Sequence, residues 1–354
     1  MAQKYFHKFS SLDFIRNLPN AAGCGVVGGA LFVNADGTPV QVGGASLGKT
    51  FYVDAVNGSA SNDGRSPGKA FSTLALAYAA CTAGKNDTVI ILSDGATTGT
   101  ARLAESLTWA KAQTHLLGLA APSLYSQRAR VAPTAALTAF TPMITLSASG
   151  CLFQNIQFWH GFTTGAAAQI ALEVTGSRNV FRNCHLAGMA DAESAASATS
   201  RILNFTGGGE NYFDHCVIGI DTVTRTAANA SIEFLSGAAR NVFEDCLFPV
   251  YATGSGTGAL FVKTAAAAAM DRYNIFRRCN FLNPGALSGG VTLAAVATLA
   301  AASGGGLIFD YCSRFLVTDW GTDATSLGQI YVNGSGTGGT ATDDVGRGAV
   351  AVAS

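Results

Sequence analysis

The chain has 354 residues, with 22 Lys plus Arg against 22 Asp plus Glu and a formal net charge of zero. That balance excludes the basic field that nucleic-acid binding needs, and 48% hydrophobic residues exclude an acidic disordered chain. Only 12% of residues are charged, about half of the roughly 25% of an ordinary soluble domain, so an outer surface covered by partners in an assembly is expected.

Residues 1–48 begin with Lys4, Lys8, Asp13 and Arg16 and no uninterrupted apolar run, so no secretory signal is read there. Phe6, Phe9, Phe14, Ile15 and Leu18 make a short apolar stripe before Pro19, a candidate partner-docking arm. A strand pair around Ala35-Asp36-Gly37 is expected next. Gly43 to Thr50 reads GGASLGKT, which fits the phosphate-binding G-x-x-x-x-G-K-[ST] expression. That mechanism needs a helix directly after the loop, whereas Phe51-Tyr52-Val53 reads as a strand, so the match is taken as chance in a chain with 42 glycines.

Turns follow at Asn57-Gly58, Asn62-Asp63-Gly64 and Ser66-Pro67-Gly68. Ser72 is then positioned to cap a short helix with Leu74, Tyr78 and Cys81 on one face, ending near Gly84. Thr88 to Leu92 reads as a buried strand.

An internal repeat organises the rest. Six segments align without gaps: CLFQNIQF (151–158), NVFRNCHL (179–186), NYFDHCVI (211–218), NVFEDCLF (241–248), NIFRRCNF (274–281) and LIFDYCSR (307–314). Five carry an apolar strand before the motif: MITLSASG, IALEVTGS, ILNFTGGG, SIEFLSGA and VTLAAV. QIYVNGSG (329–336) extends the series without the Phe and Cys. Each repeat is thus one coil of a solenoid. Phe and Cys stand three apart and would face opposite ways on a straight strand. Both are apolar, so a bend between them is needed to turn both inward, as in a parallel β-helix. Asn155 and Asn183 sit at the bend, where Asn tolerates a left-handed backbone. The expected interior ladder is Phe181, Cys184, Phe213, Cys216, Phe243, Cys246, Phe276, Cys279, Phe309 and Cys312. At a coil spacing of about 4.8 Å the thiols stack as small core fillers. The chain has eight cysteines and no C-x-x-C pair, so neither a disulfide framework nor a zinc or redox site is read. The surplus in each coil falls at 187–200, 219–229, 249–258 and 282–290, loops expected along one edge. Residues 336–354 form a Gly/Ala-rich tail.

The run FYVDAVNGSASNDGRSPGKAFSTLALAYAA, the following DTVIILSDG and the Phe-x-x-Cys coils resemble pectate-lyase-like right-handed β-helix proteins over roughly 50–335. The resemblance implies an all-β, right-handed parallel β-helix over 49–335 with a helix at 71–83 plugging its N-terminal end. Such modules are frequent in bacteriophage virions as tailspikes, fibres and capsid-decorating trimers. It therefore implies a virion location, a homotrimer and the major capsid protein as partner. No nucleic-acid, membrane or cofactor partner is expected.

For chemistry, Asp214 and Glu244 share a motif position on successive coils, flanked by Arg182 and Arg277. As minority catalytic candidates, Glu244 would be a raised-pKa acid and Asp214 a base or nucleophile. The other reading is a file of charges that neutralises itself, and no aromatic sugar platform accompanies the pair. Glu173 and Glu233 have Asn204 between them. Asp54, Asn62 and Asp63 could hold calcium, or simply shape a turn. His160, after Trp159, reads as a surface contact in a loop. The expected function is a structural virion protein, a capsid cement or decoration protein, with a glycan-binding or glycan-cleaving tailspike as the alternative. A free polysaccharide lyase is weaker, lacking a mapped calcium cluster.

Overall fold

The computed structural model describes residues 48–92, 99–119, 125, 129–134, 141–161, 168–253, 258–300, 305–323 and 329–333, with strands Gly23–Val26, Ala30–Asn34, Pro39–Val40 and Val350–Ala351. The docking stripe at Phe6, Phe9, Phe14, Ile15 and Leu18 and most of the C-terminal tail lie outside the described residues. Ala30–Asn34 and Pro39–Val40 pair antiparallel around the expected turn, and Gly23–Val26 adds a third strand.

From Leu107 to Phe315 each coil supplies one strand to each of three sheets, as in Ile170–Val174, Val180–Arg182 and His185–Ala187. Among the described residues the sheets have eight, eleven and nine strands, and every pairing between coils is parallel. The result is an all-β, right-handed parallel β-helix, the hand expected of parallel crossovers. Leu260–Thr264 is the strand that the repeat pattern left unassigned before NIFRRCNF, and it pairs in register with Ala230–Ser236. Ile330–Asn333 sets Val332 beside Phe309, where a further Phe would stand.

The bend inside the Phe-x-x-Cys motif has one cause repeated six times. Asn155, Asn183, His215, Asp245, Arg278 and Tyr311 all have φ between 48° and 56°. A single left-handed residue turns the chain between two short strands, so Phe and the following Cys (Ile156 in the first coil) both enter the core. The five phenylalanines and five cysteines of the expected ladder are all buried. Their rings stack from Phe153 to Phe309 with centroids 4.8, 4.6, 4.6, 4.7 and 5.3 Å apart. Each thiol donates to the Phe carbonyl one coil back, as Cys246 Sγ does to Phe213 O at 3.4 Å. The seven described cysteines are all free and buried.

A second file lies where the eight-stranded sheet turns into the eleven-stranded one. Asn179, Asn211, Asn241 and Asn274 are buried, and the Nδ2 of each of the first three donates to the next Oδ1 at 3.0–3.1 Å. The same oxygens accept the backbone N–H groups of Cys151, Asn179, Asn211 and Asn241. Buried main chain at a corner that offers no sheet partner is thereby satisfied.

The capping helix, α1 (Leu74–Ala80), is shorter than the expected 71–83 and starts one residue later than a Ser72 cap allows. Thr73 is the N-cap: it is extended, and its hydroxyl accepts from Leu76 N at 3.3 Å. At the other end Lys111 Nζ donates to the carbonyls of Tyr78, Ala79 and Cys81 at 2.8, 2.7 and 2.6 Å. Tyr78 lies against Trp109 at 4.3 Å, so the helix covers the N-terminal mouth of the core.

The surplus loops are built rather than merely projecting. They carry a second helix, α2 (Ala192–Ala195), capped by Asp191, and an extra strand, Ile220–Arg225, laid against Leu247–Ala252. No helix among the described residues is long and apolar enough to cross a membrane.

Candidate functional site

The outer face of the eleven-stranded sheet carries the candidate acids. Gln154, Arg182, Asp214, Glu244, Arg277, Asp310 and Asn333 stand in strict register on successive strands, one residue after the inward Phe or its equivalent. The left-handed residues beside them add His215, Asp245 and Arg278 to the same face. The structure therefore places Asp214 and Glu244 on adjacent strands, as the motif spacing required.

Their surroundings fix their protonation. Burial works to raise the Asp214 carboxyl, but hydrogen bonds from His215 Nδ1 (2.5 Å) and Arg182 Nε (2.8 Å) hold it below the usual carboxylate range. Glu244 is also held low, first by the Tyr212 hydroxyl (2.6 Å), with burial opposing and Arg278 Nη2 (2.6 Å) assisting. Arg277 bridges onward, 3.7 Å from Glu244 and 3.1 Å from Asp310. Arg278 also grips Asp245 at 2.8 Å, and His215 reaches Asp245 at 3.9 Å. His215 is pushed up by its bond to Asp214. A general acid must hold a proton near neutral pH, so the lowered Glu244 corrects the raised-pKa role expected of it. Every carboxylate in the file is matched by cationic or hydroxyl donors from this chain.

Tyr212, His215, Asp245 and Arg278 belong to this cluster, and the sequence reading did not assign them to it. The signal for His215, Asp245 and Arg278 is the second of the two residues between Phe and Cys, and Tyr212 stands just before its Phe. Glu173, Asn204 and Glu233 are likewise in register on the eight-stranded sheet, as expected.

On the nine-stranded sheet Arg130, Gln157 and His185 form a polar relay. Arg130 Nε donates to Gln157 Oε1 at 2.5 Å, and Gln157 Nε2 lies 3.0 Å from His185 Nδ1. His185 Nε2 lies 2.9 Å from Gly219 O, and burial brings its pKa down to about 4. Both ring nitrogens are engaged, so His185 is a neutral structural imidazole. The Arg130 guanidinium covers the Trp159 ring at 5.3 Å. His160 is buried, its backbone bonded to Ala187 and Ala190, which corrects its reading as a surface contact.

The remaining candidates resolve into turns. Asp54 Oδ1 accepts from Val56 N and Asn57 N, Asn62 Nδ2 donates to Ala70 O, and Asp63 Oδ1 accepts from Arg65 N. Among the described residues no group of three His, Cys, Asp or Glu is arranged to hold a metal ion. Thr50–Asp54 is a strand, so no helix follows the GKT run; Gly43 to Leu47 lie outside the described residues.

No family model and no curated protein matches the sequence. Among solved structures the chain is similar to a pectin methylesterase variant in complex with a hexasaccharide, with TM-score 0.55 and 18% identity over 85% of this chain and 92% of that one. It is also similar to pectin methylesterase PemA from Erwinia chrysanthemi, with TM-score 0.49 and 17% identity over 78% and 82% of the two chains. A third likeness is to ORF18 of Geobacillus virus E2, with TM-score 0.40 and 12% identity over 80% and 61%. At these identities the likeness is one of fold, and the fold in common is the parallel β-helix.

Proposed function

We propose that this chain is a structural protein of a bacteriophage virion, a homotrimeric cement or decoration protein seated on the major capsid protein. The observation that carries this reading is the self-neutralised outer file. Asp214, Glu244, Asp245 and Asp310 are each bound by Arg182, His215, Arg277 or Arg278 of the same chain. Such a face is suited to rigidity and packing, and it offers no protonated carboxyl to a substrate. The low charged fraction and the resemblance of the coils to virion β-helices support the same reading. Residues 1–48 with the Phe6, Phe9, Phe14, Ile15 and Leu18 stripe are the proposed anchor.

The second reading, a tailspike or fibre acting on host glycan, is favoured by the stacking of Asp214 on Glu244 alone. Copy number separates the two. Quantitative mass spectrometry of purified particles should give hundreds of copies against the major capsid protein. A handful, in multiples of three, would overturn the head-surface reading. In that case loss of glycan degradation on replacing both Asp214→Asn and Glu244→Gln would establish the tailspike.

A further inference from the structure

Arg225 ends the extra strand Ile220–Arg225 and is almost completely buried, at 2% exposure. Among the described residues its guanidinium reaches only neutral acceptors: Nη2 donates to Ser231 Oγ at 2.9 Å and Nη1 to Leu260 O at 3.4 Å. No carboxylate of the described residues pairs with it. Among the described residues these two oxygens are the acceptors found for a guanidinium that carries five N–H groups. Burying a cation without a counter-charge is among the costliest arrangements a protein can hold.

The neighbourhood deepens the imbalance. The charge that acts on Arg225 is another cation, the buried Arg201, and burial together with Arg201 brings the Arg225 pKa down to about 9. Arg201 is itself provided for: Nε donates to Glu233 Oε2 at 2.7 Å, and Nη1 to Ala198 O and Ser200 O at 2.8 and 2.6 Å. Glu233 also faces Lys263, 3.6 Å away. One carboxylate thus serves Arg201 and Lys263, and none of the described carboxylates serves Arg225. Ser231 is fully buried and spends its oxygen on Arg225, which leaves its hydroxyl hydrogen to give.

We propose that Arg225, with the Ser231 hydroxyl, is a binding site for a small inorganic anion of the halide class beneath the loop layer. The guanidinium and the hydroxyl supply donors, and an anion cancels a charge that a water molecule would leave uncompensated. Burial at this depth favours a monatomic ion over a phosphate or an organic acid. The anion would join the extra strand and the eight-stranded sheet, locking the loop layer onto the solenoid.

Bromide is the probe. Crystals of the full chain soaked in sodium bromide should show anomalous density at the bromine edge in contact with the Arg225 guanidinium. Water-sized density there without an anomalous signal, or bromide only at surface lysines, would overturn the proposal. In solution, replacing gluconate by chloride at constant ionic strength should raise the melting temperature with the logarithm of chloride concentration, by about 2–3 °C per tenfold excess over Kd. Arg225→Met should abolish that response, and an equal response in the variant would count against the site. If the variant does not fold, the bromide experiment on the unaltered chain decides.

Discussion

Each interior rung of the asparagine file, Asn211 and Asn241, spends its amide oxygen on a backbone N–H and a side-chain N–H, and its nitrogen on two acceptors, all inside the chain. Truncating one rung leaves a buried N–H of the neighbouring coil unpaired. Asn211→Ala should therefore cost about 2–3 kcal/mol, read as a lower denaturant midpoint at unchanged slope. The outer file makes a pH prediction. Asp214, Glu244 and Asp245 have lowered folded values, so their contribution is complete above the ordinary carboxylate range of about 4 and is lost as pH falls through those values. His215 is raised, so its contribution is complete below about 6.5 and is lost as pH rises through its folded value. The denaturant midpoint should decline on both sides, and His215→Gln should remove the alkaline decline and weaken the acid one, because His215 helps to hold Asp214 and Asp245 low. Of these residues, the alignment of Asp214 with Glu244 was legible from motif position. The proton affinity of Glu244 was not, because Tyr212 and Arg278 reach it from 32 and 34 residues away.

At the level of elements, α1 shows how a short helix is held by what it covers. Seven residues make a poor helix in isolation. Thr73 supplies the N-cap, and Lys111, from the following coil, supplies a cation at the carbonyl end while its ammonium sits 5.0 Å from the Tyr78 ring centre. Lys111→Met should cost about 1–2 kcal/mol and raise hydrogen exchange in 74–81 before the central coils. Trp109, packed beneath Tyr78, should report the same opening by fluorescence. The sequence located this helix by its apolar spacing. The cap fell on Thr73 rather than Ser72 because either hydroxyl satisfies the local pattern, and docking onto the first coil selects between them. The strand Leu260–Thr264 was passed over because it ends in KTAAAAAM rather than in the Gly-bearing turn that marked its neighbours.

Across the whole molecule, stability is distributed coil by coil, since each coil touches chiefly its neighbours. Removal of residues 1–20 should accordingly leave the melting temperature of the β-helix within about 2 °C, because the described parallel sheets begin at Thr50. Under the proposed function the same truncation should release the protein from the particle, and retained binding in a virion sedimentation assay would remove the docking arm.

The sequence by itself determined the repeat, the inward Phe and Cys, the bend between them and the outward file of charges. Those features follow from side-chain alternation along a strand and from one left-handed residue per corner, both local in the chain. Only the tertiary structure decided what the stacked residues do to one another. The asparagines became a hydrogen-bonded file, Glu244 became a carboxylate held low by Tyr212 and Arg278, and Arg225 was enclosed with no carboxylate of the described residues beside it. Each outcome depends on groups five or more residues away, most of them about thirty, that coil stacking and the folded loop layer bring into contact.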